Sequence, residues 1–308
     1  MKGTFMDTRV LKYFLTIAKT GNVTKAAKEL HITQPTLSRQ ISDLEKQLNI
    51  TLFDRTNRHL HLTKAGAFFQ KRAQMILDLV AQTENDIQTQ ESELVGTIRI
   101  GCVESSASNW LMKIIKKMHQ AFPNIHFDIY TANGDDLKEK LDQNLLDLAL
   151  LLEPIEAKKY NYIRLPIRDT WGVIAAKDDY LSKKELISTN DLYQIPLTLS
   201  ARSLIRNELA QSLKININNL NIIATHNLAS NPLQLVKQHI TYLLGIDGLL
   251  KLHHDPDLTF IPFTPKTTTG HIIAWRKNTY LSPLTEKFLQ LITENLNQEQ
   301  TKKGSPTS

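Results

Sequence analysis

The densest run of side chains able to recognise another molecule lies between residues 33 and 46. Thr33, Gln34, Pro35, Ser38, Arg39, Ser42 and Lys46 lie there, and the stretch opens with Thr, Gln, Pro, Ser and Arg where a solvated helix usually carries Glu and Lys. If Leu37, Ile41, Leu44 and Leu48 turn inward at about 100° per residue, Pro35, Ser38, Arg39, Ser42 and Lys46 turn outward. Gln reads adenine edges, Arg reads guanine O6 and N7, and a Pro or Thr methyl group touches a thymine methyl. The competing reading is an ordinary helical hairpin inside a core. A second group of polar residues is spread over three segments, GCVESSASNW (101–110), SARS (200–203) and THNLASN (225–231). Each follows an apolar strand-like run and precedes a helical one. Free N–H groups at a helix start can hold an anion there, although plain N-capping explains the same residues.

Catalytic patterns are missing. The chain has no glycine-rich phosphate loop, no nucleophile elbow and no cysteine cluster. HLH and HH are isolated histidine runs without metal-ligand spacing, so neither metal nor cofactor is expected. Cys102 is the single cysteine, which excludes an intramolecular disulfide and fits a reducing cytoplasm. A cysteine at a strand end is more often a small core residue than a redox sensor. The opening MKGTFMDTRVLKYF lacks the long apolar stretch of a signal peptide, and no later run approaches a membrane span. A cytoplasmic protein with no membrane partner is expected.

The elements that must position residues 33–46 are legible around them. Asp7 to Thr20 reads as a first helix with Val10, Leu11, Phe14, Ile17 and Ala18 inward and Gly21 as its stop. Val23, Ala26, Ala27 and Leu30 share one helical face. HITQ makes a turn, Thr33 can cap, and Pro35 falls in the first turn of the next helix, where a missing N–H costs nothing. Ala26 and Ala27 allow the two helices to cross closely, so Val23 to Ser42 has helix-turn-helix geometry. Residues 50–66 follow as a small hairpin wing, with Leu52 and Phe53 as anchors, Leu60 and Leu62 alternating with His59 and His61, and Arg55, Arg58 and His59 near its tip, placed to lie along phosphates. Residues 1–66 hold eleven Lys/Arg against five Asp/Glu, and the remainder is balanced, so the whole net charge of +6 sits in this module. A basic module on a neutral body points to a polyanion partner for the module alone.

The run AAKELHITQPTLSRQISDLEKQLNITLFDRTNRHLHLTKAG resembles the N-terminal domain of LysR-type transcriptional regulators. The paired alanines, QPTLSRQI, LEKQLNITLF and RTNRHLHLTKAG carry the resemblance, which spans about sixty residues in order. It implies an N-terminal all-α winged helix-turn-helix (1–66), a long linker and dimerisation helix (67–95), and a C-terminal α/β two-lobed domain like a periplasmic binding protein (96–299). It also implies that Gln34, Pro35, Ser38 and Arg39 meet bases or nearby phosphates, with Arg55 and Arg58 on the backbone; Thr33 and Ser42 flank them. The three polar segments would line a cleft between the lobes, with Ser105, Ser106, Ser200, Arg202, Thr225 and Asn227 as effector contacts. Arg202 hints at an acidic effector, and Glu104 argues the other way.

From Lys64 to about Glu93, Phe69, Ala73, Ile76, Val80, Thr83 and Ile87 recur at spacings of four and three, an a/d seam on a helix roughly 45 Å long. A second copy is its simplest partner, giving a dimer or dimer of dimers with two recognition helices; packing against the chain's own body is the alternative. Glu91 to Gly96 reads as a polar hinge. The body alternates strand and helix, which predicts parallel sheets in two lobes, 96–165 with 266–299 and 166–265, joined by crossings near Leu165 and Pro265. Helices are expected around Lys183 to Ile187 and from Pro232 to His239, the latter capped by Ser230 or Asn231. Residues 300–308 read as a disordered tail. The expected partners are double-stranded DNA with an inverted-repeat operator, a small-molecule effector and a second copy, with the transcription machinery as a further candidate. The rival readings are a solute-binding protein without specific DNA function and an α/β enzyme, for which no nucleophile–base pair is visible.

Overall fold

Phe14 is fully buried, and its ring meets those of Phe53 and Phe69 at centroid distances of 5.0 and 4.9 Å. The computed structural model in which these rings pack describes residues 7–54, 60–88, 94–156 and 158–304. The chain divides into two compact units, Met1–Glu91 and Ser92–Ser308.

In the first unit, α1 (Thr8–Thr20) starts at Asp7, whose carboxylate accepts from the Arg9 N–H, and stops at Gly21, where φ is +62°. Asn22 caps α2 (Val23–Glu29) and Thr33 caps α3 (Gln34–Leu48), with Pro35 in the first turn. Strands β1 (Phe53–Asp54) and β2 (His61–Leu62) pair antiparallel, Phe53 opposite Leu62. Helix α4 (Lys64–Gln88) follows. Leu11, Ile17, Ala26, Ala27, Leu37, Ile41, Leu44 and Leu52 join Phe14 in one core. Ala73 of α4 is fully buried in it, and Phe69 packs against it. These two residues, expected on a dimer seam, therefore belong to the core of their own unit. Among the described residues, the large apolar side chains that α4 leaves exposed are Phe68, Ile76 and Leu79. Val80 is half-buried and Thr83 exposed, and the side chain of Ile87 lies outside the described residues. A helix with adjacent apolar stripes does not reveal from spacing which stripe faces its own domain.

The second unit builds the same motif twice. The first copy is β3 (Gly96–Cys102), α5 (Ala107–Ala121), β4 (Ile125–Thr131), α6 (Gly134–Asp142) and β5 (Leu148–Leu152). After it come β6 (Tyr160–Ala176), β7 (Ile187–Ser188) and α7 (Thr189–Leu192). The second copy is β8 (Leu197–Ser200), α8 (Ser203–Leu213), β9 (Ile222–His226), α9 (Leu233–Lys237) and β10 (Tyr242–Ile246). Then α10 (Gly248–His253), β11 (Leu258–Thr264), β12 (Thr268–Arg276) and α11 (Pro283–Gly304) complete the chain. In each copy the first strand lies between the other two and parallel to both. The sheet is mixed rather than parallel throughout, because β6 and β12 run antiparallel to their neighbours.

Strand β6 is shared by both lobes. Tyr160–Thr170 pairs with β12 in the first lobe, and Trp171–Ala176 is flanked by β10 and β11 in the second. The first crossing thus falls at Thr170/Trp171, a few residues beyond the expected Leu165, and the second lies between Thr264 and Thr268, an interval that contains the expected Pro265. Pro166 makes the first half of β6 read as a break. The ladder accommodates it by a bulge: Gly270 pairs with Arg168 and His271 with Leu165, leaving Pro166 and Ile167 unopposed. Three further expectations are corrected. Tyr180–Lys183 forms a short 3-10 turn followed by β7, in place of a helix at 183–187. Pro232 rather than Ser230 or Asn231 holds the N-cap of α9, because the Ser230 hydroxyl is drawn to Glu104. Helix α11 continues to Gly304, through most of the stretch expected as a tail.

Asp169, one residue before the crossing, is wholly buried. It accepts from the Ser106 N–H at 3.1 Å and from the Ser106 hydroxyl, and His271 Nε2 stands 3.3 Å away. Gly248, opening α10, leaves room for this cluster; a Cβ there would lie 2.0 Å from Asp169 Oδ2. Burial alone would raise the carboxyl's pKa, but the adjacent His271 imidazole and the hydrogen bonds from Ser106 outweigh it and hold the group below the usual carboxylate range.

Two outcomes follow. Phe14→Ala should cost about 3–5 kcal/mol, read as faster hydrogen exchange in α1–α3 with exchange in the second unit unchanged. The stability contributed by Asp169 is complete above an unfolded pKa of about 3.9 and is lost as pH falls through the lower folded value. Asp169→Asn should therefore destabilise the second unit near neutrality, by a margin that shrinks as the pH is lowered below about 4. Urea unfolding followed by tryptophan fluorescence checks this, since Trp110, Trp171 and Trp275 all belong to that unit.

Candidate functional site

The first candidate surface is the start of α3. Thr33 Oγ1 lies 2.8 Å from Thr36 Oγ1 and accepts from the Thr36 N–H, which fixes the first turn. Gln34 Nε2 donates to Ser38 Oγ at 2.8 Å. Thr33, Gln34, Pro35 and Arg39 are exposed, whereas Ser38 and Ser42 are half-buried beside Leu37 and Ile41. The Arg39 side chain is 84% exposed, and its nearest carboxylate, Asp43, is 3.9 Å away. That contact is long and solvated, so it competes weakly with another acceptor for the guanidinium. The six residues therefore form one continuous polar strip along α3. Arg55, Arg58 and His59 lie outside the described residues.

The second candidate is a cleft in the Ser92–Ser308 unit. Where a central strand has its successor on one side and the next strand on the other, the loops at its carboxyl end part and leave a crevice. That happens after β3 in one lobe and after β8 in the other. A cleft of about 550 Å³, its mouth included, is lined from both. Glu104, Asn133 and Leu152 come from the first lobe; Ser200, Arg202, His226, Asn227 and Leu249 come from the second, and Trp171 of β6 closes one wall.

Two charged contacts tie the lobes together here. Arg202 Nε and Nη2 donate to the two Asp135 carboxylate oxygens at 3.0 and 2.9 Å. The Arg202 side chain is 12% exposed, and its hydrogen bonds hold the Asp135 carboxyl below its ordinary range. Glu104, 9% exposed, accepts from the Ala229 N–H at 2.8 Å and from the Ser230 hydroxyl. His253 Nε2 stands 3.7 Å from Glu104, outside hydrogen-bonding reach. Both ring nitrogens of His226 are buried and make no hydrogen bond. Burial pushes the pKa of this imidazole down, against the pull of Glu104, so the neutral ring is favoured.

Of the six residues expected to meet an effector, Ser200, Arg202 and Asn227 line the cleft. Ser105, Ser106 and Thr225 do not. Ser105 is fully buried, Ser106 is committed to Asp169, and Thr225 points to the exposed side of β9 while its neighbour His226 points inward. The alternation along NIIATH could have assigned His226 rather than Thr225. Asn133 was legible as the cap of a helix opening Gly-Asp-Asp: its Oδ1 accepts from the Asp135 and Asp136 N–H groups. Trp171 had no local signal, whereas Glu104 stood in the sequence as the charge opposed to Arg202. Cys102 is buried, with its sulfur 3.3 Å from the Ser108 hydroxyl, and burial raises its pKa, so the reactive thiolate is disfavoured.

Comparison with known proteins follows the same division. The family model described as "Bacterial regulatory helix-turn-helix protein, lysR family" matches residues 8–67, and "LysR substrate binding domain" matches residues 91–297. The chain is 28% identical over 300 residues to the uncharacterized HTH-type transcriptional regulator YybE of Bacillus subtilis (strain 168), covering 95% of this chain and all of that protein. It is 35% identical over 161 residues to the HTH-type transcriptional regulator BsdA of the same organism, covering 52% of this chain and 55% of BsdA. Its fold is similar to that of full-length CbnR, solved in complex with target DNA, with a TM-score of 0.74 at 20% identity over 94% of this chain and 99% of CbnR. The winged helix-turn-helix and the two-lobed domain together make this chain a member of the LysR family of transcriptional regulators, with a DNA-binding domain followed by an effector-binding domain.

Proposed function

We propose that this regulator acts in the cytoplasm as a dimer or dimer of dimers, reads an inverted-repeat DNA site, and changes its grip when a small molecule enters the interlobe cleft. The observation that carries the reading is the exposed strip on α3, set in a module that holds the chain's entire net positive charge. In this reading α3 enters the major groove, with Arg39 and Gln34 at base edges, Thr33, Pro35, Ser38 and Ser42 beside them, and Arg55 and Arg58 on phosphates. That CbnR was solved with target DNA supports the arrangement. The exposed Phe68, Ile76 and Leu79 of α4 are the apolar surface that a second copy would cover, in place of the Phe69–Ala73 seam. The chain regulates rather than catalyses in this reading, and the transcription machinery is the downstream partner. No helix among the described residues is long and apolar enough to cross a membrane.

Effector and DNA are coupled only if the effector prefers one arrangement of the lobes. About 2 kcal/mol of preference shifts occupancy roughly thirtyfold. The Arg202–Asp135 and Glu104–Ala229 contacts join the lobes at the cleft, so a ligand that strains or reinforces them has such a preference.

Selection of bound duplexes from a random pool should enrich an inverted repeat with half-sites about one helical turn, or a multiple of it, apart. Retention of duplexes without any enriched sequence contradicts specific reading. In the same assay Arg39→Ala should relax base preference at one position per half-site and cost about 1–3 kcal/mol. Arg58→Ala should weaken binding to all sequences alike and shallow the salt dependence. Equal loss of specificity in both variants rules out this division of roles.

A further inference from the structure

The charged donors of the cleft are largely committed. An anionic ligand needs N–H groups or a free cation, and several of those placed here are already engaged. The Ala229 N–H and the Ser230 hydroxyl serve Glu104. The Arg202 guanidinium is held by Asp135 through two hydrogen bonds. The first N–H groups of α6 are capped by Asn133, whose own amide nitrogen donates to Asp136 at 2.7 Å. The Glu104 carboxylate, in contrast, has about four lone-pair sites, and the two hydrogen bonds from Ala229 and Ser230 leave some of them open. Next to it, His226 brings two unpartnered ring nitrogens, one of which accepts in the neutral ring that burial favours. Asp135 is already matched by Arg202 and by Lys138, whose Nζ lies 3.2 Å away. A carboxylate that is nine-tenths buried with no cation in hydrogen-bonding reach is costly to keep, and a ligand cation offsets that cost.

We propose that the cleft takes a small organic cation, an apolar skeleton bearing a protonated amine whose N–H groups donate to Glu104 and to His226. Trp171, Leu152, Ile246 and Leu249 cover the skeleton. The inference rests on the reading of this cleft as the effector site and adds its charge class. Entry of the ammonium competes with the Ala229 N–H and Ser230 hydroxyl for Glu104, which makes occupancy felt at a contact between the lobes.

The test is thermal unfolding of the full chain, followed by tryptophan fluorescence, against matched pairs of probes: butylammonium with butyrate, and benzylammonium with benzoate. A ligand that binds only the folded state raises the midpoint with concentration. The ammonium member of at least one pair should raise it and its carboxylate should not. Glu104→Gln should weaken that response at least about tenfold in apparent Kd, about 1.4 kcal/mol. Glu104→Asp, which keeps the charge, should retain the preference for the ammonium and shows that loss in the Gln variant is not simple unfolding. A midpoint raised by carboxylates but not ammonium compounds overturns the charge assignment and leaves the effector cleft standing. An unchanged ammonium response in Glu104→Gln also overturns it. No shift with any probe, in a protein that still selects its DNA, overturns both the charge assignment and the cleft as effector site.

Discussion

A buried carboxylate must find partners or lose its charge, and Asp169 meets that demand with groups from distant parts of the chain. Ser106 comes from the loop after β3, His271 from β12, and Gly248 leaves room at the start of α10. The carboxylate lies on the one strand that both lobes share, one residue before that strand passes from one lobe to the other. The loop containing Glu104 is thereby anchored two residues from the point where it reaches across to Ala229 and Ser230. The cleft inherits its geometry from this arrangement, because the same loop serves the crossing and the wall.

The two candidate surfaces differ in how their polar groups are satisfied. On α3 the exposed polar side chains lean on one another loosely, through exposed hydrogen bonds and a 3.9 Å ion pair, so water or another molecule replaces those contacts at little cost. In the cleft the partners are inside the protein. Arg202 and Glu104 are mostly buried and each closes a contact from one lobe to the other. Displacing either contact therefore bears on how the two lobes are held together at the cleft.

Helix α4 shows how a correct periodicity can be attached to the wrong neighbour. Phe69 and Ala73 do recur at the spacing of a buried stripe, and they are buried, but against Phe14 and the rest of their own unit. What α4 presents to solvent is Phe68, Leu79 and Ile76, the last a member of the expected seam. At the crossing, a bulge opposite Gly270 and His271 lets a seventeen-residue strand continue past Pro166.

The sequence by itself determined the DNA-binding module, the family, and the alternation of strand and helix in the body. Those features are local: caps at Asp7, Asn22 and Thr33, a stop at Gly21, apolar spacing in α1 to α3, and a charge excess confined to one segment. Only the tertiary structure decided which polar residues face the cleft. Ser105 and Ser106 look as available in the sequence as Ser200, yet one is buried and the other is held by a residue sixty-three positions away. Glu104 and Ala229 lie 125 residues apart and meet because two separate strand crossings bring two loops together. Spacing reports which neighbours share a helix or a strand, whereas partners of a buried charge are chosen by the packing of elements far apart in the chain.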